Sequence, residues 1–164
     1  MSGFISSPAT PVDPEDATVV MDGWFPDILV ADIRAKVRMG EGIVTHERLL
    51  GAIEGAALTA LRMLSDWRSA IAATGIAKLE DIEDISIGGK TRPVIIWERI
   101  IRYYSAAEIA DLYRDISATV EGRDRADEEN ISADDYRRLA HNAVTDLLSI
   151  GTETPVQRNM VELI

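Results

Sequence analysis

The residues best placed to do chemistry lie in the stretch DISIGGKTRPVIIW, Asp84 to Trp97. Gly88-Gly89-Lys90-Thr91 reproduces the end of a nucleotide-binding P-loop, where backbone N–H groups cradle phosphates and a lysine reaches the terminal ones. The full motif needs another glycine five positions before its last one, so that the loop can curl round the phosphates. Asp84 holds that position, and its carboxylate would face the phosphates. A P-loop also needs a buried strand before it and a helix straight after it. No alternating strand–helix pattern surrounds this stretch, so Gly-Gly-Lys-Thr reads as a surface turn with an exposed lysine.

Other chemistry is scarce. His46 and His141 lie far apart, in no metal-binding spacing, and read as helix-surface residues. Glu83-Asp84, Glu128-Glu129 and Asp134-Asp135 are carboxylate neighbours expected by chance in an acidic chain, and adjacent helix positions do not share a face. There is no cysteine, hence no disulfide, thiol nucleophile or thiolate metal site. No Ser-His-Asp set or Gly-x-Ser-x-Gly stands out, and the Trp and Tyr residues sit at helical spacing, as core residues do. No catalytic residue, cofactor or metal is expected.

The elements that carry these residues are helical. From Thr45, a good N-cap, Leu50, Ile53, Ala57, Ala60, Leu64, Trp67 and Ile71 recur at alternating spacings of three and four. They predict a long helix over Glu47–Ala73, stopped by Gly75. A shorter helix is expected from about Ile28 to Met39, ended by Gly40 and Gly42. Ile85-Ser86-Ile87 alternates like a brief strand inside a long connection. Thr91 is expected to cap a third helix with Pro93 in its first turn. Its stripe is Ile96, Ile100, Tyr103, Ala107 and Ala110. After the charged run 121–130, Ser132 and Asp135 resemble a capping box. The last helix buries Tyr136, Ala140, Ala143, Leu147 and Ile150, and Gly151 ends it. The expected fold is all-α, a small bundle of about four helices, one of them long. Residues 1–23, with Pro8, Pro11 and Pro14 among polar neighbours, read as a flexible arm. Residues 24–150 form the helical domain and 151–164 an extended arm. Trp24-Phe25-Pro26 reads as an anchor onto a packed surface.

Composition limits the partners. At 164 residues and 18.0 kDa one domain is expected, with 46% hydrophobic and 27% charged residues. No apolar run is long enough to span a bilayer. The first residues lack the basic-then-apolar pattern of a secretory signal, so none is expected, and the absence of cysteine fits a cytosolic assembly environment. Acidic residues number 28 against 17 basic ones, a net charge of −11. Such a chain is a poor clamp for DNA or anionic membrane, because that binding works by placing Lys and Arg on phosphates. It can lie beside DNA without gripping it.

The order of features is more specific than any one of them. FPDILVADIRAKVRMGEGIVTHERLLGAI, Trp67-Arg68-Ser69-Ala70, Ala72-Ala73-Thr74-Gly75 and Leu79-Glu80-Asp81-Ile82 follow one another. Then come Leu112-Tyr113-Arg114-Asp115-Ile116-Ser117-Ala118-Thr119, Arg125-Ala126-Asp127 and Val161-Glu162-Leu163-Ile164. Over roughly residues 24–164 this order resembles the bacteriophage head completion protein (GPL) family. Two loops depart from it: Glu121 to Arg125 replaces a Gly-Asp-Lys-Lys run, and Gly-Gly-Lys-Thr replaces an Asp-Gly-Glu-Ser-like turn.

The resemblance implies a structural virion protein of a contractile-tailed phage, with no enzymatic activity. It would be assembled in the bacterial host cytoplasm and act at the head–tail junction. There it would bind the portal protein, stabilise the DNA-filled head and present a surface to tail or neck proteins, as a homo-oligomeric ring, a dodecamer. Packaged DNA would pass through without tight binding by the free subunit, and no membrane is involved. Phe25, Pro26, Pro155, Val156, Val161, Glu162, Leu163 and Ile164 are the expected protein-interface residues. Lys90 and Arg92 are candidate DNA contacts in a channel loop. The alternative is a small helical regulatory or chaperone-like module binding a soluble client in simple stoichiometry.

Overall fold

A computed structural model describes residues 13–37, 44–117 and 132–151, with the side chains of 113–117 excepted. Among them are four helices: α1 (Val30–Lys36), α2 (His46–Ala72), α3 (Arg92–Ser117) and α4 (Ala133–Leu148). Two short ribbons accompany them, β1 (Thr18–Val19) with β2 (Ile28–Leu29) and β3 (Ser86–Ile87) with β4 (Lys90–Thr91), both antiparallel. No helix among the described residues is long and apolar enough to cross a membrane.

Helix α2 forms where its signals place it. The Thr45 hydroxyl accepts the Arg48 N–H at 3.3 Å, satisfying one of the free donors of the first turn. Its 27 residues make a rod of about 40 Å at about 1.5 Å per residue. Ile53, Ala57, Ala60, Leu64 and Trp67 are buried, and Leu49, Ala52 and Ala56 widen the buried face, while Leu50 and Ile71 are half-buried. The alanines let a neighbouring backbone approach closely. Gly75, at φ +97, turns the chain away.

Helix α3 runs antiparallel to α2, with the Tyr104 hydroxyl 3.2 Å from Met63 Sδ and Glu108 against Gly55. Its deepest line passes through Trp97, Ile100, Ile101 and Ser105, and the Ser105 hydroxyl donates to the Ile101 carbonyl at 2.8 Å. Tyr103 and Ala110, expected in the buried stripe, are only half-buried. Helix α3 packs against both α2 and α4, so its apolar side chains divide between two neighbours. Thr91 is not the expected cap, because its hydroxyl has no hydrogen-bond partner among the described residues. The chain enters α3 through Arg92 N–H donating to the Ile85 carbonyl at 2.9 Å, with Pro93 fully buried and needing no acceptor.

At α4 the Ser132 hydroxyl accepts the Asp135 N–H at 3.1 Å and donates to its carboxylate at 2.8 Å. The hydroxyl's bond to the carboxylate, joined by that of Arg138 at 2.9 Å, holds the Asp135 carboxyl below its usual range, Ser132 contributing most. Ala140, Ala143, Val144 and Leu147 face the core. Gly151 follows at φ +75.

The segment before α1 differs from expectation. Helix α1 starts at Val30 rather than Ile28, because Ile28 and Leu29 pair with Val19 and Thr18 instead. It stops at Lys36, ahead of the two glycines, where β-branched Val37 is extended. Within residues 13–23, read from sequence as part of a flexible arm, Ala17, Val19 and Met21 pack against the core. Asp22 Oδ1 accepts the N–H groups of Trp24 and Phe25, both at 3.1 Å, and Asp27 accepts that of Met21 at 2.7 Å. Short acidic side chains here act as local turn formers, which a reading of composition takes for solvation.

Candidate interaction surface around the glycine hairpin

Gly88 and Gly89 form the turn between β3 and β4. Both have positive φ, +60 and +81, as a two-residue hairpin turn requires and other residues resist. Ser86 faces Thr91 and Ile87 faces Lys90. The turn thus makes a β-hairpin, and β3 is exposed rather than buried. No phosphate cradle is present in this geometry.

The acid that breaks the P-loop motif organises the hairpin. Asp84 Oδ2 accepts from Arg92 Nε and Nη2 at 2.9 and 2.6 Å, across the base of the ribbon. Lys90 Nζ reaches Glu98 on α3 at 2.5 Å. Both candidate DNA-contact cations therefore face carboxylates within the chain. ATP or GTP at millimolar concentration is expected to leave the melting temperature unchanged, in the parent and in Lys90→Ala alike. A nucleotide-dependent rise that disappears in the variant would overturn this.

Phe25 and Pro26 lie elsewhere. Phe25 is buried and stacks on Trp97, with ring centroids 4.2 Å apart and planes at 26°. Trp24 meets both Phe25 and Trp67 edge-on. The packed surface that this aromatic pair grips is its own bundle, so Phe25 is corrected from an interface residue to a core residue. Burial of its ring inside the chain leaves none of it for a partner. Half-buried Pro26 contributes its carbonyl, which accepts the Trp97 indole N–H at 3.0 Å. Trp24 and Trp67 likewise donate to the carbonyls of Ile76 (3.3 Å) and Ile150 (2.9 Å). Each indole thus ties a helix or the N-terminal segment to a loop distant in sequence. Pro155, Val156, Val161, Glu162, Leu163 and Ile164 lie outside the described residues.

Two features escaped the sequence reading. Asp13 is held by Arg34 through Nε and Nη2 and by His46 Nδ1 at 2.8 Å, with its side chain 5% exposed. The second is Arg102, in a recess lined by α1, β2, β4 and α3. Glu98 and Arg102 stand four apart and look from sequence like an ordinary helix-surface pair. Among the described residues no cluster of His, Asp and Glu is arranged to hold a metal.

Hairpin, helices and aromatic contacts all lie within one region of similarity to known proteins. The family model described as phage head completion protein (GPL) matches residues 19–164. The chain belongs to this family. The GPL match begins inside β1, earlier than the resemblance read from sequence, in keeping with the ordered ribbon there. A curated relative, the head completion/stabilization protein of Escherichia phage P2, is 28% identical over 115 residues, covering 70% of this chain and 68% of that protein. No solved structure matches. As a GPL-family member, the chain is a structural head completion protein of the phage virion.

Proposed function

We propose that this GPL-family protein joins the portal at the head–tail junction as a subunit of a dodecameric adaptor ring. The ring closes and stabilises the filled head and presents the surface on which neck or tail proteins assemble. One observation carries the reading best: a chain of net charge −11 ties the cations of its hairpin, Lys90 and Arg92, to Glu98 and Asp84. Such a surface can line a DNA conduit without holding the polymer, since like charge repels phosphate. The paired rods of α2 and α3 supply a stiff wall, and the hairpin can reach a neighbour. Electron microscopy of the protein mixed with purified portal at low salt tests this. Rings seated on the portal support it, and binding only to a soluble client in simple stoichiometry contradicts it.

Residues 151–164 serve in this reading as the docking arm, with residues 24–150 as the main domain. Val161, Leu163 and Ile164 would each contribute about 1.5–3 kcal/mol on burial, before ordering costs, and a ring multiplies weak contacts. Deleting residues 161–164 is expected to leave helicity and melting temperature near those of the parent while abolishing portal attachment. A truncated protein that melts far lower yet still attaches would show that these residues belong to the bundle.

A further inference from the structure

The recess bounded by α1, β2, β4 and α3 has a volume of about 240 Å³, room for several waters or one side chain. Three carboxylates line it, and each is engaged. Asp32 takes Lys36 one turn on at 2.8 Å, Glu98 takes Lys90 from the hairpin at 2.5 Å, and Asp27 takes the Met21 N–H at 2.7 Å. Arg102, the third cation of the recess, makes no hydrogen bond or ion pair with any described residue. Its Nε is buried without a partner. Glu98 stands at the i−4 position where it would ordinarily pair with Arg102, but Lys90 occupies it. The Tyr103 ring, 5.6 Å from the guanidinium carbon, offers a cation–π contact and no acceptor. The Asp32 carboxyl is held below its usual range first by the Lys36 hydrogen bond, with the fields of Lys90 and Arg102 adding to it. A buried donor on a charged group is costly to leave unmade, and a guanidinium fork fits a carboxylate geometrically.

We propose that this recess is a docking site for a carboxylate side chain on an extended segment of a partner protein, with Arg102 as the anchor. The surroundings favour a peptide over nucleic acid. A polyphosphate would bring many charges against Asp27, Asp32 and Glu98 and against the chain's net −11, whereas one carboxylate brings a single charge. Apolar side chains flank the recess: Leu29 at its wall is 39% exposed, and Ile87, opposite Lys90 in the hairpin, is 64% exposed. An acidic residue between apolar ones on an extended chain matches that arrangement, as in other strand-like recognition.

The test titrates the full-length protein, labelled with nitrogen-15 on arginine, with a short synthetic peptide carrying one glutamate between valines. The same peptide with glutamine in its place is the comparison. The glutamate peptide is expected to move the Arg102 Nε–Hε resonance and to bind about tenfold tighter or more than the glutamine peptide, the scale of a charge-assisted hydrogen bond. In Arg102→Gln the two peptides should bind alike. Equal binding to the parent protein, or an Arg102 resonance that the glutamate peptide leaves in place, overturns the proposal. So does a duplex oligonucleotide that displaces the glutamate peptide, since the recess would then prefer phosphate. The comparison on the parent protein stands even if the Arg102 variant fails to fold.

Discussion

Trp97→Ala is expected to leave little folded protein at physiological temperature. Trp97 is fully buried on α3, stacks on Phe25 and donates its indole N–H to the Pro26 carbonyl at 3.0 Å. Truncating a buried tryptophan to alanine costs about 3–5 kcal/mol through lost transfer energy and the cavity left behind. The abandoned Pro26 carbonyl adds about 1 kcal/mol or more. Against a total stability of about 5–15 kcal/mol, the sum consumes a large share, and the melting temperature should fall by roughly 10–20 °C. Trp97→Phe separates the two parts, because it keeps an aromatic ring for the stack and removes only the donor. It should cost about 1–2 kcal/mol, mainly the lost hydrogen bond and part of the ring volume. Thermal unfolding followed by far-ultraviolet circular dichroism measures both. An alanine variant melting within a few degrees of the parent would show that the Phe25 contact does not hold the N-terminal segment to α3.

The second expected effect is at Asp13. Asp13→Asn should cost about 2–3 kcal/mol near neutral pH, somewhat below the ~3–5 kcal/mol of breaking a fully buried pair, because Arg34 keeps partial contact with water. Asparagine has nearly the same shape but loses the charge that answers Arg34. The Asp13 carboxyl is held below its ordinary range chiefly by the Arg34 hydrogen bond, with burial opposing and His46 assisting. Its folded-state pKa is therefore lower than the unfolded value of about 3.9. The carboxylate's contribution is complete above that unfolded value and is lost as pH falls through the folded one. Urea unfolding of parent and variant should differ most near neutral pH and converge only as the pH falls below the folded-state value of Asp13. A gap that stays constant with pH would place the Asp13 effect in packing rather than charge.

How much of this was legible beforehand depended on distance along the chain. Thr45 and Ser132 as caps, Gly75 and Gly151 as stops, and the bounds of α2 to within one residue all followed from signals that act inside one or two helical turns. The ordered motifs that mark the family were equally visible. The hairpin was half visible: Ile85 to Ile87 alternates, but Lys90-Thr91 carries no strand signature of its own and becomes one only by pairing. Thr91 offered a capping hydroxyl that the ribbon put to no such use.

The sequence by itself determined the helical class, the acidic balance that disfavours gripping DNA, the failure of the P-loop motif at Asp84, and membership of the head completion family. Only the tertiary structure decided where the candidate functional side chains point. It turned Phe25 inward against Trp97, set Lys90 on Glu98 and Arg92 on Asp84, tied Asp13 to Arg34, and left Arg102 without an acceptor among the described residues. The reason is physical. Caps and periodicity are satisfied by neighbours in the chain, whereas each of these contacts joins residues eight or more positions apart. The Trp97–Pro26 bond joins residues 71 apart, and its partner is selected by packing and burial that no local pattern encodes.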